Sequence, residues 1–430
     1  MSTRVAIVGG GAIGCSIAWR LARRGASVRV IDDQVVAGAA TRAAGGMLAP
    51  LAESHKAGPF LQLALESLRR YPDFVAELEA AAGIAVGYVR AGKVVAALSA
   101  AEEDDLASMH AWQSTTAGAR TEWLSGEEAR ALEPALAPQV RAAVLITDDH
   151  RVDNVALGAA LERAATLAGV DWIRKRASRL LEAGGRALGV ETSDGERIEA
   201  DVVVVAAGAW SGELEGLPRA LPIRPVRGQM LALRPERPLF GRTIAGTRGY
   251  LVPRLDGRVI VGSTMEEAGF ESKTTPDALA ALRAGAVRLI PALAEAARAG
   301  AWAGLRPATP DGLPVLGPDP SMPGLSYATG HFRNGILLAP ITADALAADI
   351  LGDDADVDLT PWSAGRFEPS PTGTMEAGRA IDARDPANGG AADAAAADRL
   401  CDLCGSPMYE VHCKLICPSC GYKRDCTDLW

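Results

Sequence analysis

RVAIVGGGAIGCSIAWRLARRGASVRVID, residues 4–32, decides the fold. RVAIV (4–8) is a short apolar run of the kind that forms a buried strand, and Ile13, Ile17, Ala18 and Leu21 then recur at helical spacing over 12–24. SVRVID (27–32) reads as a second strand, so the segment is one βαβ unit with a glycine turn between its first strand and its helix. Gly9, Gly11 and Gly14 stand in the G-x-G-x-x-G pattern, joined by Ala12 and Ile13 of the turn. Glycines there let the backbone approach a pyrophosphate seated on the positive end of the helix, while Asp32 can accept hydrogen bonds from a ribose hydroxyl. A carboxylate at that position disfavours a 2′-phosphate and therefore NADP. A triphosphate P-loop is excluded because Cys15 stands where its lysine is required. A ligand-free strand–helix turn would use the same glycines, and FAD and NAD fit the fingerprint equally.

Further elements extend the pattern. Residues 61–82 read as a helix, and DNVALGAALERAATLAG (153–169) as an amphipathic helix with Asp153 as its N-cap. A meander follows, turning at Gly184-Gly185 and at 193–195, and leads to VVVVAAG (202–208), whose continuous valines suit a central parallel strand. GTRGYLVPRLDGRVIVGST (246–264) predicts a hairpin turning at Asp256-Gly257, and a further strand and helix are expected between 320 and 352.

The 430 residues are 48% hydrophobic and 23% charged, an ordinary globular composition, with a net charge of −9 that offers no basic face for nucleic acid. No apolar run approaches the ~18 residues of a membrane span. Arg4 before an apolar stretch imitates a secretory signal, but fixed glycine spacing argues against that reading, and the cysteine-rich terminus suits a reducing compartment. A cytoplasmic protein with no nucleic-acid or membrane partner is expected.

TRAAGGMLAP (41–50), VVVVAAGAWS (202–211), AGLRPATPDGLPVLGP (303–318) and GHFRNGILLAP (330–340) together resemble the D-amino-acid oxidase superfamily, most closely the glycine oxidases of thiamine biosynthesis, over residues 4 to about 360. The resemblance implies an α/β chain: a Rossmann-type FAD-binding domain (about 1–45, 150–215 and 320–364) with an inserted α+β substrate domain built on a mostly antiparallel sheet (about 46–149 and 216–319). It implies FAD contacts at Thr41, Gly46, Met47, Gly208, Gly330, Asn334, Gly335 and Ile336 beside the glycine turn. It also implies a small amino-acid substrate held by Arg306, Tyr250 and Arg333, O2 as electron acceptor, a thiazole-synthesis partner and a homo-oligomer. Alternatives stay open for each substrate residue: an internal ion pair with Asp311 for Arg306, a loop brace for Arg333, and a core ring for Tyr250. Hydride transfer to a flavin needs positioning more than an acid–base pair, and no hydrolase or metalloprotease motif is present. His331, within the HFRNG motif, reads as a packed, hydrogen-bonded histidine. No cysteine lies between Cys15 and Cys401, so noncovalent FAD is expected. Arg248 stands where the family carries a histidine, placing an extra cation near the expected mouth of the site and leaving a D-amino acid or a secondary amine as alternative substrates.

Residues 365–398 read as a linker, rich in Ala, Gly, Pro and Asp. Beyond it, Cys401-x2-Cys404 and Cys417-x2-Cys420 form two knuckles twelve residues apart, shorter than the usual ~15–20 of a zinc ribbon. Residues 399–430 are expected to be a zinc-ribbon-like module, with iron as the alternative metal and His412, Cys413 and Cys426 surplus. Such a module could serve as a tethered docking unit for a pathway partner.

Overall fold

The computed structural model describes residues 2–34, 38–52, 54, 58–116, 118–354 and 356–367, together with the strands at 409–411, 414–416 and 423–425. It divides into two units, 1–367 and 368–430. In the first, β1 (Arg4–Val8), α1 (Ala12–Arg23) and β2 (Ser27–Ile31) form the expected βαβ unit, the strands parallel and in register from Arg4↔Ser27 to Val8↔Ile31. A short helix α2 (Ala40–Ala43) and β3 (Met47–Leu48) lead to α3 (Pro59–Ala82). Then come β4 (Lys93–Ala97), α4 (Ala100–Ser114), β5 (Thr121–Ser125), α5 (Gly126–Leu132), β6 (Ala142–Ile146) and β7 (His150–Arg151). Next are α6 (Asn154–Leu167), β8 (Asp171–Ile173), the meander β9 (Ala177–Ala183), β10 (Arg186–Thr192) and β11 (Arg197–Glu199), and β12 (Val202–Val205). The remainder is β13 (Arg224–Arg234), β14 (Thr243–Gly246), β15 (Gly249–Pro253), β16 (Val259–Gly262), α7 (Pro276–Leu289), β17 (Ala297–Ala308), β18 (Val315–Pro318), β19 (Leu325–Thr329) and α8 (Ala339–Leu351).

Two large sheets organise these elements. The first has the order β18-β19-β12-β1-β2-β8, and β12 runs parallel between β1 and β19 as its valines predict. Alternation along β1 sends Val5 and Ile7 to one face, against α1, α3, α6 and α8, and Ala6 and Val8 to the other. That second face is covered by the β9–β11 sheet through Leu180, Val190 and Ile198, so among the described residues the α-helices lie on the first face. The second sheet, β17-β13-β16-β15-β14-β4-β6-β5, is antiparallel except where β14 pairs with β4. Its hairpin β15–β16 turns at Asp256-Gly257 with Tyr250 opposite Gly262.

Three local features bear on the site. Asp153 caps α6 by accepting from the amides of Val155 and Ala156, a cap that contributes about 1 kcal/mol. Helix α3 lies in a segment assigned by sequence to the substrate half, yet its apolar stripe (Leu68, Tyr71, Phe74, Leu78) joins the core under the first sheet. From there the Tyr71 hydroxyl donates to Ile336 O (2.6 Å) and Ser67 Oγ to Leu337 O (2.6 Å), fixing the segment after the HFRN turn. The compositional boundary at 365 falls early: Ala364–Phe367 form a 3-10 turn in which Arg366 pairs with Asp311 at 2.7 Å, so these residues belong to the folded unit.

The second unit contains an antiparallel meander, β20 (Tyr409–Val411), β21 (Lys414–Ile416) and β22 (Lys423–Asp425). The predicted metal ligands Cys401, Cys404, Cys417 and Cys420, and the surplus His412, Cys413 and Cys426, lie outside the described residues. Among those described, no cluster of three or more His, Cys, Asp or Glu could hold a metal, and no helix is long and apolar enough to cross a membrane.

Candidate functional site

The glycine turn is built by close approach. Gly9 has φ +110, and a Cβ there would lie 2.4 Å from Ala206 O, at the end of β12. One on Gly14 would lie 2.0 Å from Gly9 O, so this glycine lets α1 start directly on the strand it follows. A Cβ on Gly11 would meet nothing nearer than Thr41 Oγ1 at 3.6 Å, so Gly11 opens toward ligand space. Gly11 caps α1 without a side chain, and the first-turn amide of Ala12 instead donates to Thr41 Oγ1 (2.9 Å). Across the turn, Asp32 accepts from Gly10 N (2.5 Å) and Gln34 N (2.8 Å). Burial raises the Asp32 pKa above the ordinary carboxylate range, against the opposing pull of these two amides.

A cavity of about 480 Å3 runs from this turn to the second sheet. Gly9, Gly11, Ala12, Ile13, Asp32, Thr41, Gly46, Met47 and Gly208 line it, as do Asn334, Gly335 and Ile336. Tyr250, Arg306 and Arg333 line the same cavity, so segments spread over more than 300 residues of sequence meet in one space. Gly14 and Gly330 are not on its lining. Gly330 has φ +71, and a Cβ there would lie 2.7 Å from Thr309 Cγ2, which makes it a packing glycine.

At the second sheet, Arg306 of β17 donates from Nη1 to Thr264 O (3.1 Å) and from Nη2 to Ser263 Oγ (2.6 Å). Its guanidinium lies flat on Gly228 of β13, where a Cβ would come within 2.3 Å of both terminal nitrogens. Asp311, the alternative partner weighed for Arg306, is engaged by Arg366. The Tyr250 ring lies between Gly262 and Gly45, where Cβ atoms would come within 2.4 and 2.9 Å of it, and its hydroxyl donates to Met230 Sδ at 3.7 Å. Arg333 follows Phe332, a non-glycine residue at φ 49, and its Nη1 approaches Met265 Sδ at 4.0 Å. The left-handed conformation costs a side-chain-bearing residue on the order of 1 kcal/mol and turns Arg333 toward the cavity. Arg248 sits on the exposed turn between β14 and β15 with its Cβ over Gly285 of α7, and it is not on the cavity lining, contrary to its expected place at the mouth.

Two buried groups complete the lining. His331 hydrogen-bonds Thr342 Oγ1 (3.2 Å) through Nε2, as expected of a packed histidine, and burial pushes its pKa down to about 3, so it stays neutral. Asn334 Oδ1 is buried on the cavity lining with no hydrogen-bond partner among the described residues, an acceptor awaiting a ligand N–H or O–H. Cys15 is fully buried on α1, donates its thiol to Gly10 O (3.1 Å) and is held protonated by burial. Sequence reasoning missed Gly45, Gly228, Gly262 and Ser263, which shape the beds of Tyr250 and Arg306. Their signal is the strand register, which sets Gly262 directly across from Tyr250 and Gly228 diagonal to Arg306.

Residues 4–349 match the family model for the FAD dependent oxidoreductases, DAO. The chain belongs to this family. It is 34% identical to a glycine oxidase of Geobacillus kaustophilus over 366 residues, covering 84% of this chain and 96% of the relative. The crystal structure of glycine oxidase from that organism superposes with a TM-score of 0.81 at 33% identity, covering 86% of this chain and all of the other. A bifunctional protein ThiO/ThiG of Nostoc sp. is 40% identical over 359 residues, and the chain spans about half of it, 53%. As an FAD-dependent oxidoreductase, the chain needs a cradle for an extended dinucleotide. The open Gly11 turn, the half-buried Asp32 carboxylate and the Asn334 oxygen, unpaired among the described residues, all on one cavity, fit that group.

Proposed function

We propose that this oxidoreductase oxidises glycine, or a similarly small amine acid, to its imine. The observation that carries the reading is the Arg306–Tyr250 pair, seated on glycines in the same cavity as the dinucleotide turn. A guanidinium on the cavity lining can pair with a carboxylate, and the Tyr250 hydroxyl can donate to the same group, fixing the α-carbon. Bound FAD supplies the two-electron acceptor. Glycine loses two electrons and two protons, O2 takes them up as hydrogen peroxide, and water hydrolyses the imine to glyoxylate and ammonia. His331, neutral and bonded to Thr342, is a wall and not a base.

Gly9, Gly11, Ala12, Ile13 and Asp32 would hold the adenosine diphosphate portion, with Thr41, Gly46, Met47, Gly208, Asn334, Gly335 and Ile336 around the rest of the cofactor. Arg333 would close the substrate end. FAD is held noncovalently, since Cys15 is buried beneath the turn. The likeness to the bifunctional ThiO/ThiG protein supports a role in supplying the imine or glyoxylate to thiazole synthesis, in a cytoplasmic homo-oligomer. By their spacing alone, Cys401, Cys404, Cys417 and Cys420 would bind one zinc, with iron the alternative.

Peroxide release tests the reaction: glycine, sarcosine and D-alanine are supplied in turn to purified protein. Glycine should give the highest kcat/KM, and a flavin that none of the three bleaches would overturn the reading. Acid precipitation should leave the yellow colour in the supernatant. Elemental analysis should find one zinc per chain, lost in Cys401→Ser.

A further inference from the structure

We propose that Arg254 is a positioning residue that ties the substrate-side sheet to the cofactor cradle and sets the affinity for FAD. The inference assumes the FAD site above and is independent of which amine is oxidised. Arg254 lies one residue past β15, and strand alternation gives it the same face as Tyr250 and Val252. Its Nη1 donates to Val152 O (2.6 Å), and its Nη2 donates to Gly45 O (3.1 Å) and Asn154 Oδ1 (2.5 Å). A single side chain from the second sheet therefore holds the Gly45–Met47 wall and the start of α6 together. Gly46 has φ +72, and a Cβ there would stand 2.1 Å from Val152 O and 3.1 Å from Arg254 Nη1, so the turn has room for the guanidinium only as glycine.

Asn154, 1% exposed, passes the contact on. Its Nδ2 donates to Thr41 O (2.7 Å) and Arg42 O (3.0 Å). The amide orientation is unambiguous, because an arginine only donates and carbonyls only accept. Thr41 in turn caps α1 through Ala12 N (2.9 Å). The series Arg254, Asn154, Thr41, Ala12 runs unbroken from the strand that carries Tyr250 to the helix end where the pyrophosphate would sit. Lysine could replace the charge but not the fork that reaches three acceptors at once.

The test is a titration of apoprotein with FAD, followed by flavin fluorescence, for wild type, Arg254→Met, Arg254→Lys and Asn154→Ala, with thermal unfolding of each apoprotein measured in parallel. The FAD Kd should rise at least tenfold in Arg254→Met and in Asn154→Ala, and by an intermediate factor in Arg254→Lys. The double variant Arg254→Met/Asn154→Ala should bind no more weakly than the worse single variant, because both cut one path. A purely structural arginine would lower Tm and leave the Kd of the folded protein within twofold of wild type, which overturns the proposal. Should Arg254→Met fail to fold, Arg254→Lys and Asn154→Ala decide it by the same criterion. Weakened FAD binding in a protein that never oxidises glycine sinks the glycine reading alone; glycine oxidation with unchanged FAD affinity in the variants sinks the positioning role alone.

Discussion

Replacing Gly228 with alanine adds one methyl group beneath the Arg306 guanidinium, 2.3 Å from its terminal nitrogens where ordinary contact begins near 3.4 Å. Backbone on both strands is fixed by the long β13–β17 ladder, so the side chain must move by ~1 Å. That shift breaks the geometry of the bonds to Ser263 Oγ (2.6 Å) and Thr264 O (3.1 Å), and hydrogen bonds from charged groups are each worth about 1.5–3 kcal/mol. Losing one such bond's worth of carboxylate binding lowers kcat/KM for glycine on the order of 10- to 100-fold. Stability should fall by only about 1–2 kcal/mol, because water can replace part of what these two bonds contribute and alanine is no worse than glycine in a strand. The assay is steady-state peroxide production, with FAD titration, Tm and the Kd of acetate as a carboxylate probe. The expected result is a weaker acetate Kd and a higher glycine KM, with FAD affinity near wild type and Tm lowered by only a few degrees. Wild-type kcat/KM in a folded Gly228→Ala protein would refute the assignment of Arg306 to the substrate carboxylate.

Three other perturbations probe different parts of the chain. FAD affinity should fall as pH drops through the raised pKa of Asp32, because a protonated carboxyl cannot accept from two amides and a ribose hydroxyl together; Asp32→Asn should flatten this pH dependence of the FAD Kd. His150, bonded to Tyr88 Oη at 2.7 Å, is pushed down to about 4 by burial and by the nearby Arg90 cation. Since the unfolded chain takes up that proton from about pH 6.5 downward, stability should be lost as pH falls from there toward 4, by up to ~3 kcal/mol, and His150→Gln should remove this part of the acid slope in Tm. Asp319 lies under the first sheet and accepts from Arg219 Nε (2.7 Å), Ser321 N (2.8 Å) and Tyr327 Oη (2.9 Å). Burial alone would raise its pKa, but these donors outweigh burial and hold it below the usual range. Asp319→Asn should cost about 3 kcal/mol by breaking a buried ion pair, read as a lowered denaturation midpoint with the FAD Kd unchanged once folded.

The nucleotide half of the fold was legible because its physics is local. One glycine turn and one acid, spaced by a helix, name the βαβ unit and the ligand class within 29 residues. What covers the far face of the first sheet was not legible, because alternating apolar residues at 180, 190 and 198 fit a free-standing meander as well as a covering layer. Helix α3 was misplaced for a similar reason: its stripe shows that it is buried but not against which sheet. Arg306, Tyr250 and Arg333 were named through motif resemblance, and all three line the cavity. Arg254, four residues after Tyr250 in GYLVPR, carries no comparable signal, because its partners are two carbonyls and an amide that no sequence pattern pairs with it.

That last point generalises within this cavity. Three large polar side chains here are bedded on glycines: Arg306 on Gly228, Tyr250 on Gly262 and Gly45, Arg254 over Gly46. In a sheet, a glycine gives up side-chain packing and conformational entropy, a cost of roughly 0.5–1 kcal/mol, and a ring or guanidinium lying across it from the next strand recovers part of the contact. The exchange has a geometric consequence. A side chain lying flat on the sheet holds its polar end at a fixed height, whereas one standing upright on a neighbouring methyl would stand further into the cavity and lose its anchor in the strand beyond. Register makes such beds readable in advance, since Tyr250↔Gly262 is a direct pair and Gly228↔Gly304 lies two residues from Val226↔Arg306. A strand glycine opposite or diagonal to a Tyr or Arg, away from any turn, therefore points to the side chain across from it as a site residue, which explains why Gly228→Ala should damage turnover more than it weakens the fold.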